Sequence, residues 1–188
     1  MVVEIGKKIN EMEFEAFHEN NIKKLSFEQF KGKWLILFFY PGDFTFVCPT
    51  ELEEISDLYE EFKKNNSEVI SFSTDSVFVH KAWHDNSPSV SKIKFPMGAD
   101  PSGKISREFN VYVENEGVAR RGSFIIDPDG ILIAYEVNDN SIGRNAAELL
   151  RKLQAAIFVR EHKGEVCPAS WKPGKKTIKP GLNLVGKI

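Results

Sequence analysis

The run Lys33-Trp-Leu-Ile-Leu-Phe-Phe-Tyr40 constrains the fold more than any other stretch of this chain. A strand with one wet face alternates apolar and polar residues, whereas this run is continuously apolar and aromatic, the pattern of a strand buried on both faces. Pro41-Gly-Asp43 stops it. Leu52, Ile55, Leu58, Tyr59 and Phe62 then recur at helical spacing, with acids early and Lys63-Lys64 late, as the helix dipole prefers. Val69 to Thr74 reads as a second buried strand. Strand, helix and strand in this order make a βαβ unit with a parallel sheet.

Phe78 to His84 reads as a short helix, followed by a looser stretch with Pro88, Pro96 and Pro101. Ser123–Ile126 and Ile131–Val137 are two strands around the turn signal Asp127-Pro-Asp-Gly130. Arg144 to His162 is the longest helix, with Leu149, Leu150, Leu153, Ala156 and Ile157 on one side. From Gly164 the composition changes to three prolines, four glycines and five lysines against one glutamate, a C-terminal arm. The expectation is an α/β, thioredoxin-like fold, with a central mixed β-sheet flanked by helices and a C-terminal arm. Residues 1–163 form the domain and 164–188 the arm. The loop after the first βαβ strand falls at the C-terminal edge of the sheet, where open α/β sheets bind ligands.

Bulk composition excludes several classes. Lys+Arg 25 against Asp+Glu 27 leaves a net charge of −2 and no nucleic-acid footprint. The longest apolar run, Trp34 to Tyr40, is far short of a membrane span. The N-terminal stretch carries scattered acids and no apolar h-region, so it does not read as a secretory signal, and a cytoplasmic protein is expected. In that compartment disulfides are transient and catalytic, which bears directly on the two cysteines, Cys48 and Cys167.

Cys48 lies in Phe44-Thr-Phe-Val-Cys-Pro-Thr-Glu-Leu-Glu-Glu-Ile55, where a helix begins. Pro49 at the first helical position makes Cys48 the cap; alternatively Thr50 caps, with Glu53 completing a capping box. Either way the sulfur lies near unpaired N–H groups and the positive end of the dipole, where a thiol pKa of about 8.5 falls to roughly 3.5–7.5. Phe44 and Phe46 are expected to shield the site, as part of a phenylalanine cluster around this cysteine. Thr45 either aims its hydroxyl at the sulfur, or at what the sulfur attacks, or serves only as a turn residue. The commoner fate of a cysteine is to be buried and inert; the helix-start position argues for reactivity. His80 and His84, four apart on a helix, have a spacing that binds zinc, but no third ligand lies nearby in sequence, and a helix-surface or core pair is the better account. No metal or cofactor is expected. Trp83 and Trp171 are expected to pack the two cysteine segments. A Cys-x-x-Cys disulfide reductase needs a cysteine where Glu51 stands, and a cysteine protease needs a histidine base that nothing specifies.

Pro41-Gly-Asp-Phe-Thr45-Phe-Val-Cys48 resembles the Pro-x-x-x-Thr-x-x-Cys signature of peroxiredoxins, and DFTFVCPTEL is close to the form of their two-cysteine branch. The likeness continues through His80-Lys-Ala-Trp83-His84, Arg121-Gly-Ser-Phe-Ile-Ile-Asp-Pro128 and Gly164-Glu-Val-Cys167-Pro-Ala, so it spans essentially the whole chain. The resemblance implies that Cys48 is the peroxidatic cysteine of an antioxidant thiol peroxidase acting on hydrogen peroxide and organic hydroperoxides. Thr45 and Arg121 hold the peroxide oxygens, Pro41 shields the thiolate, and Glu51 orients the arginine. Strand alternation puts only one of Arg120 and Arg121 on the site face, and the motif favours Arg121; Arg144 is a weaker second arginine.

The same resemblance makes Cys167 the resolving cysteine, bonded to Cys48 of the partner in a homodimer, with five dimers in a decamer. Spacing alone leaves an intrachain bond open. The implied reductant is a flavoprotein disulfide reductase or thioredoxin. A peroxide sensor or chaperone-like oligomer shares the thiolate and is separated from an enzyme by turnover. Over-oxidation-sensitive members carry Gly-Gly-Leu-Gly and a Tyr-Phe tail; here Pro96-Met-Gly-Ala-Asp100 and Val185-Gly-Lys-Ile188 stand instead. The expectation is an easily released arm and a helix start, Pro49 to Glu51, that unwinds at low cost.

Overall fold

The computed structural model describes residues 3–187. In chain order the elements are β1 (Glu13–His18), β2 (Asn21–Ser26), β3 (Trp34–Phe39), α1 (Cys48–Asp57), α2 (Tyr59–Lys64), β4 (Ser67–Ser73) and α3 (Val77–Asn86). There follow β5 (Met97–Ala99), α4 (Lys104–Glu108), β6 (Tyr112–Val113), β7 (Val118–Ala119), β8 (Arg121–Ile126), β9 (Leu132–Asn138) and α5 (Ala146–Glu161). Seven strands form one mixed sheet in the order β2-β1-β5-β4-β3-β8-β9, while β6 and β7 make a separate ribbon.

All six residues of β3 are buried, as the unbroken apolar run requires. The strand lies between parallel β4 and antiparallel β8, with Leu37 opposite Ile70 on one side and Phe124 on the other. The β8–β9 hairpin forms around Asp127–Gly130, whose Asp127 carboxylate accepts from the Asp129 and Ile131 amides. Of the fifteen phenylalanines, Phe14, Phe39, Phe72, Phe109 and Phe124 meet edge-on, tilted or stacked, with ring centroids 4.8–5.6 Å apart, and fill the core of the sheet domain. The phenylalanine cluster therefore centres on the core and not on Cys48. Phe44 and Phe46, expected to cover the sulfur, are 57% and 92% exposed.

Several elements escaped the sequence reading. β1 and β2 form a hairpin whose two turn residues, Glu19 and Asn20, both have positive φ (52° and 59°), the geometry of a two-residue primed turn. The strands are short, and β2 is an edge strand bearing Lys23 and Lys24, which blunts pairing with other chains. β5 occupies the stretch read as loose, but all three residues are buried between β1 and β4. Gly98 is obligatory there, since a Cβ would lie 2.4 Å from a Phe72 ring carbon. The helix after Cys48 divides at Leu58, beyond which Tyr59 donates to the Glu68 carboxylate and Phe62 is fully buried.

By internal packing the chain groups into two compact units, dividing after Ala146. In the second, Val166 and Ile178 exchange backbone hydrogen bonds of 2.9 and 3.0 Å, so the Pro/Gly-rich segment is folded back on itself. Trp171 is buried against Phe158 of α5, its indole N–H donates to the Lys175 carbonyl, and Arg151 of α5 donates to the Trp171 carbonyl. The arm begins at Gly164 by composition, yet packing ties it to α5. Among the described residues no helix is long and apolar enough to cross a membrane. Ile188, the last residue of the tail read for over-oxidation, lies outside the described residues.

Candidate active site

β3 ends at Phe39, the chain passes through Tyr40 and turns from Pro41 to Val47, and α1 begins at Cys48. Neither anticipated cap is used: Val47 occupies the N-cap position in helical geometry without a side-chain bond, so Cys48 is the first helical residue and Pro49 the second. The difference is one residue, and it leaves the sulfur within the first turn, where amides lack intrahelical partners. Cys48 is fully buried, and both cysteines are free.

Glu51, one turn on, is the hub of the site. Its carboxylate accepts from Arg121 Nη1 at 2.7 Å, and from the Arg144 backbone N–H, Nε and Nη2 at 2.8, 2.9 and 3.0 Å. Arg121, at the start of β8, also donates from Nη1 to the Cys48 sulfur at 3.4 Å and from Nε to the Asn140 carbonyl at 2.9 Å. Arg144 donates to the Gly122 carbonyl and Ser123 hydroxyl, and its guanidinium lies 3.4 Å over the Phe38 ring. Two guanidinium cations and one carboxylate leave one unit of positive charge in a buried site. An anionic sulfur, or negative charge developing on a departing oxygen, balances it.

Burial pushes the Glu51 carboxyl up, but the hydrogen bonds and charge of Arg144, with Arg121 behind them, hold it below the usual carboxylate range. Burial works against the charge on Arg121; its hydrogen bond to Cys48 and the Glu51 charge outweigh that and raise its pKa.

The structure thus brings Cys48, Glu51 and Arg121 together; Arg120, just before β8, is exposed. Arg144, ranked second in the sequence, makes more bonds to Glu51 than Arg121 does. Its one sequence signal is its place in Ile142-Gly-Arg144. Pro41 and Thr45 lie on the same loop, but the Thr45 hydroxyl is exposed and donates to the Gly42 carbonyl at 2.8 Å; among the described residues it makes no hydrogen bond to Cys48. The expectation of a cheaply unwound helix start needs correcting. Pro49 is half-buried and Thr50 exposed, yet Glu51 is anchored by two arginines, so unwinding beyond Thr50 breaks a buried ion cluster.

Cys167 is half-buried in the second unit, its sulfur 3.9 Å from the Ala155 carbonyl. Burial pushes this thiol up, against a smaller pull from Arg151. Of the two histidines considered for zinc, His80 is fully buried and bonded to Asp43, while His84 packs edge-on against Phe17. Among the described residues no group of three His, Cys, Asp or Glu is placed to hold a metal. Trp83 packs against Tyr40 and Phe44 of the cysteine loop.

A mixed sheet with a cysteine heading the helix after its central strand defines the thioredoxin-like class of α/β proteins. A model of the AhpC/TSA family matches residues 5–135, and one described as the C-terminal domain of 1-Cys peroxiredoxin matches residues 157–183, where this chain carries Cys167. The chain belongs to the AhpC/TSA family. Alkyl hydroperoxide reductase C of Amphibacillus xylanus is 51% identical over 185 residues, 98% of each chain. That of Staphylococcus aureus is 51% identical over 186 residues, again 98% of each. Among solved structures, Enterococcus faecalis AhpC matches with a TM-score of 0.85 and 49% identity, covering 87% of this chain and 98% of that one. Reduced Plasmodium vivax 2-Cys peroxiredoxin matches with a TM-score of 0.90 and 34% identity, covering 94% and 93%.

Proposed function

We propose that this protein is a thiol-dependent peroxidase that reduces hydrogen peroxide and organic hydroperoxides. The observation that carries the reading is the Arg121 guanidinium 3.4 Å from the sulfur of a buried cysteine in the first turn of a helix. The Cys48 thiolate attacks the terminal peroxide oxygen; the S–O bond forms, the O–O bond breaks, and the departing oxygen leaves as water or an alcohol after taking a proton. Sulfur is oxidised to sulfenic acid. Arg121 stabilises the charge on the departing oxygen, Glu51 and Arg144 hold Arg121, Pro41 shields the thiolate, and Thr45 contributes a hydroxyl to the peroxide once it is bound.

Cys167 then condenses with the sulfenic acid, giving a disulfide and water. A thiol held in its protonated form by burial suits this waiting role. In the working homodimer the bond joins Cys48 of one chain to Cys167 of the other, with residues 164–188 acting as the mobile arm of the 1–163 domain. Five dimers associate as a decamer in the cytoplasm, and a dithiol partner, a flavoprotein disulfide reductase or thioredoxin, regenerates the thiols. The relatives named alkyl hydroperoxide reductase C support this reading.

The test is peroxide consumption with a dithiol reductant, which Cys48→Ser should abolish; full activity in that variant would overturn the assignment. Oxidised protein should run as a dimer on a non-reducing gel. Cys167→Ser should lose that band while consuming one equivalent of peroxide, and an oxidised monomer band would mean an intrachain bridge.

A further inference from the structure

We propose that His80 is a positioning residue for the peroxide-reacting loop, holding Asp43 so that Pro41 to Thr45 keep the shape that oxidation of Cys48 requires. The inference rests on the peroxidase reading of Cys48.

Asp43 stands midway along the loop, and its bonds reach Tyr40 just after β3, Asp75 just after β4, and His80 of α3. Its Oδ1 accepts from the hydroxyl of Tyr40, the residue after β3, at 2.7 Å. Its Oδ2 meets His80 Nδ1 of α3 at 2.7 Å. Its backbone N–H donates to the Asp75 carboxylate at 2.8 Å, which also accepts from the Ser73 hydroxyl of β4. His80 in turn reaches β5, where its Nε2 meets the Gly98 carbonyl at 3.1 Å. A carbonyl only accepts, so Nε2 carries a proton, and the proton of the other contact lies between Nδ1 and Asp43. The His80 and Asp43 side chains are wholly inaccessible to solvent.

The next residue shows what this anchoring does. Phe44 has φ +55°, a left-handed conformation uncommon for an aromatic residue, and its ring is more than half exposed. Its own packing on Trp83, with centroids 6.1 Å apart, is peripheral. The conformation is therefore imposed from both sides, by Asp43 before it and by the Thr45–Gly42 hydrogen bond after it. Releasing Asp43 frees Phe44 to relax, and Thr45 and the backbone that leads to Cys48 move with it. His80 bonds neither Cys48 nor Arg121 among the described residues, so it acts through the loop. Burial pushes the Asp43 carboxyl up against the pull of His80 and Tyr40.

A merely structural role would weaken the whole protein. A positioning role slows sulfenic acid formation alone, because the later attack by Cys167 needs the loop and helix start to open. The experiment is stopped-flow reaction of the reduced full chain with hydrogen peroxide, with rapid quenching and mass spectrometry to time the disulfide. His80→Leu and Asp43→Ala should slow sulfenic acid formation by about ten- to a hundredfold, while disulfide formation stays within about threefold of wild type. Asp43→Asn, whose amide can accept from Tyr40 and donate to neutral Nδ1, should recover most of the rate. Wild-type rates in both truncations, equal slowing of the two steps, or an Asn variant as slow as the Ala variant would each overturn the proposal. If His80→Leu does not fold, the Asp43 pair decides it. A wild-type chain inert to peroxide would instead refute the peroxidase reading.

Discussion

Glu51→Gln tests the buried ion cluster most directly. The wild-type carboxylate accepts four hydrogen bonds of 2.7–3.0 Å from Arg121 and Arg144. Glutamine keeps one acceptor oxygen and turns the other position into a donor facing guanidinium donors, so about half of those bonds are lost. Hydrogen bonds to charged groups contribute about 1.5–3 kcal/mol each, and stranding a buried charge costs about 3–5 kcal/mol. Two lost bonds give about 3–6 kcal/mol and the stranded charge about 3–5, so the expected destabilisation is about 3–5 kcal/mol. For a chain of this size that lowers the melting temperature by roughly 6–20 °C. The acid side follows from the depressed Glu51 pKa. Its contribution is complete above the ordinary carboxylate value of about 4.3 and is lost as pH falls through the lower, folded value. The stability gap between wild type and Glu51→Gln should therefore be constant from pH 7 to about pH 5 and close at more acid pH. Urea melts of the reduced proteins across that range measure it. A gap under about 1 kcal/mol at pH 7, or one that persists unchanged to about pH 3, would refute the reasoning.

Arg121→Ala should slow peroxide reaction by about a hundred- to a thousandfold, the usual cost of one donor to a developing oxyanion, with stopped-flow kinetics as the check. Thr45→Val should slow the same step by at least about tenfold while Thr45→Ser preserves it, because the role proposed for Thr45 uses only its hydroxyl. Trp171→Ala removes a buried aromatic from the C-terminal unit, at about 3–5 kcal/mol, and hydrogen exchange at the Val166 and Ile178 amides should lose its protection. Mass spectrometry across a peroxide series during turnover should show disulfide outrunning sulfinic acid on Cys48; an added mass of about 32 Da at low peroxide would count against an easily released arm.

The strand–loop–helix unit that carries Cys48 was legible because its determinants are neighbours in the chain. A continuous apolar run, a Pro-Gly-Asp stop and an apolar stripe at helical spacing set β3, the loop and α1 by local propensity and burial. The hairpin around Asp127–Gly130 was legible for the same reason. The β1–β2 hairpin and β5 were not. Glu19-Asn20 is a weak turn signal, and a three-residue strand has too few residues to show a period.

The candidate site divides along the same line. Cys48, Thr45, Pro41 and Glu51 were named from one segment, and the helix start places Cys48 and Glu51 one turn apart whatever the rest of the chain does. Folding alone decided that Arg121, 73 residues from Cys48, reaches the sulfur, and that Arg144, 93 residues from Glu51, supplies most of that carboxylate's bonds. It also decided that the Thr45 hydroxyl turns back on its loop, that Phe44 and Phe46 face outward, and that His80 braces Asp43 in place of pairing with His84. Local sequence sets backbone geometry over a few residues. Which distant charges share a buried space depends on strand order, and the order β4-β3-β8, with β8 antiparallel to β3, sets the start of β8 beside the end of β3.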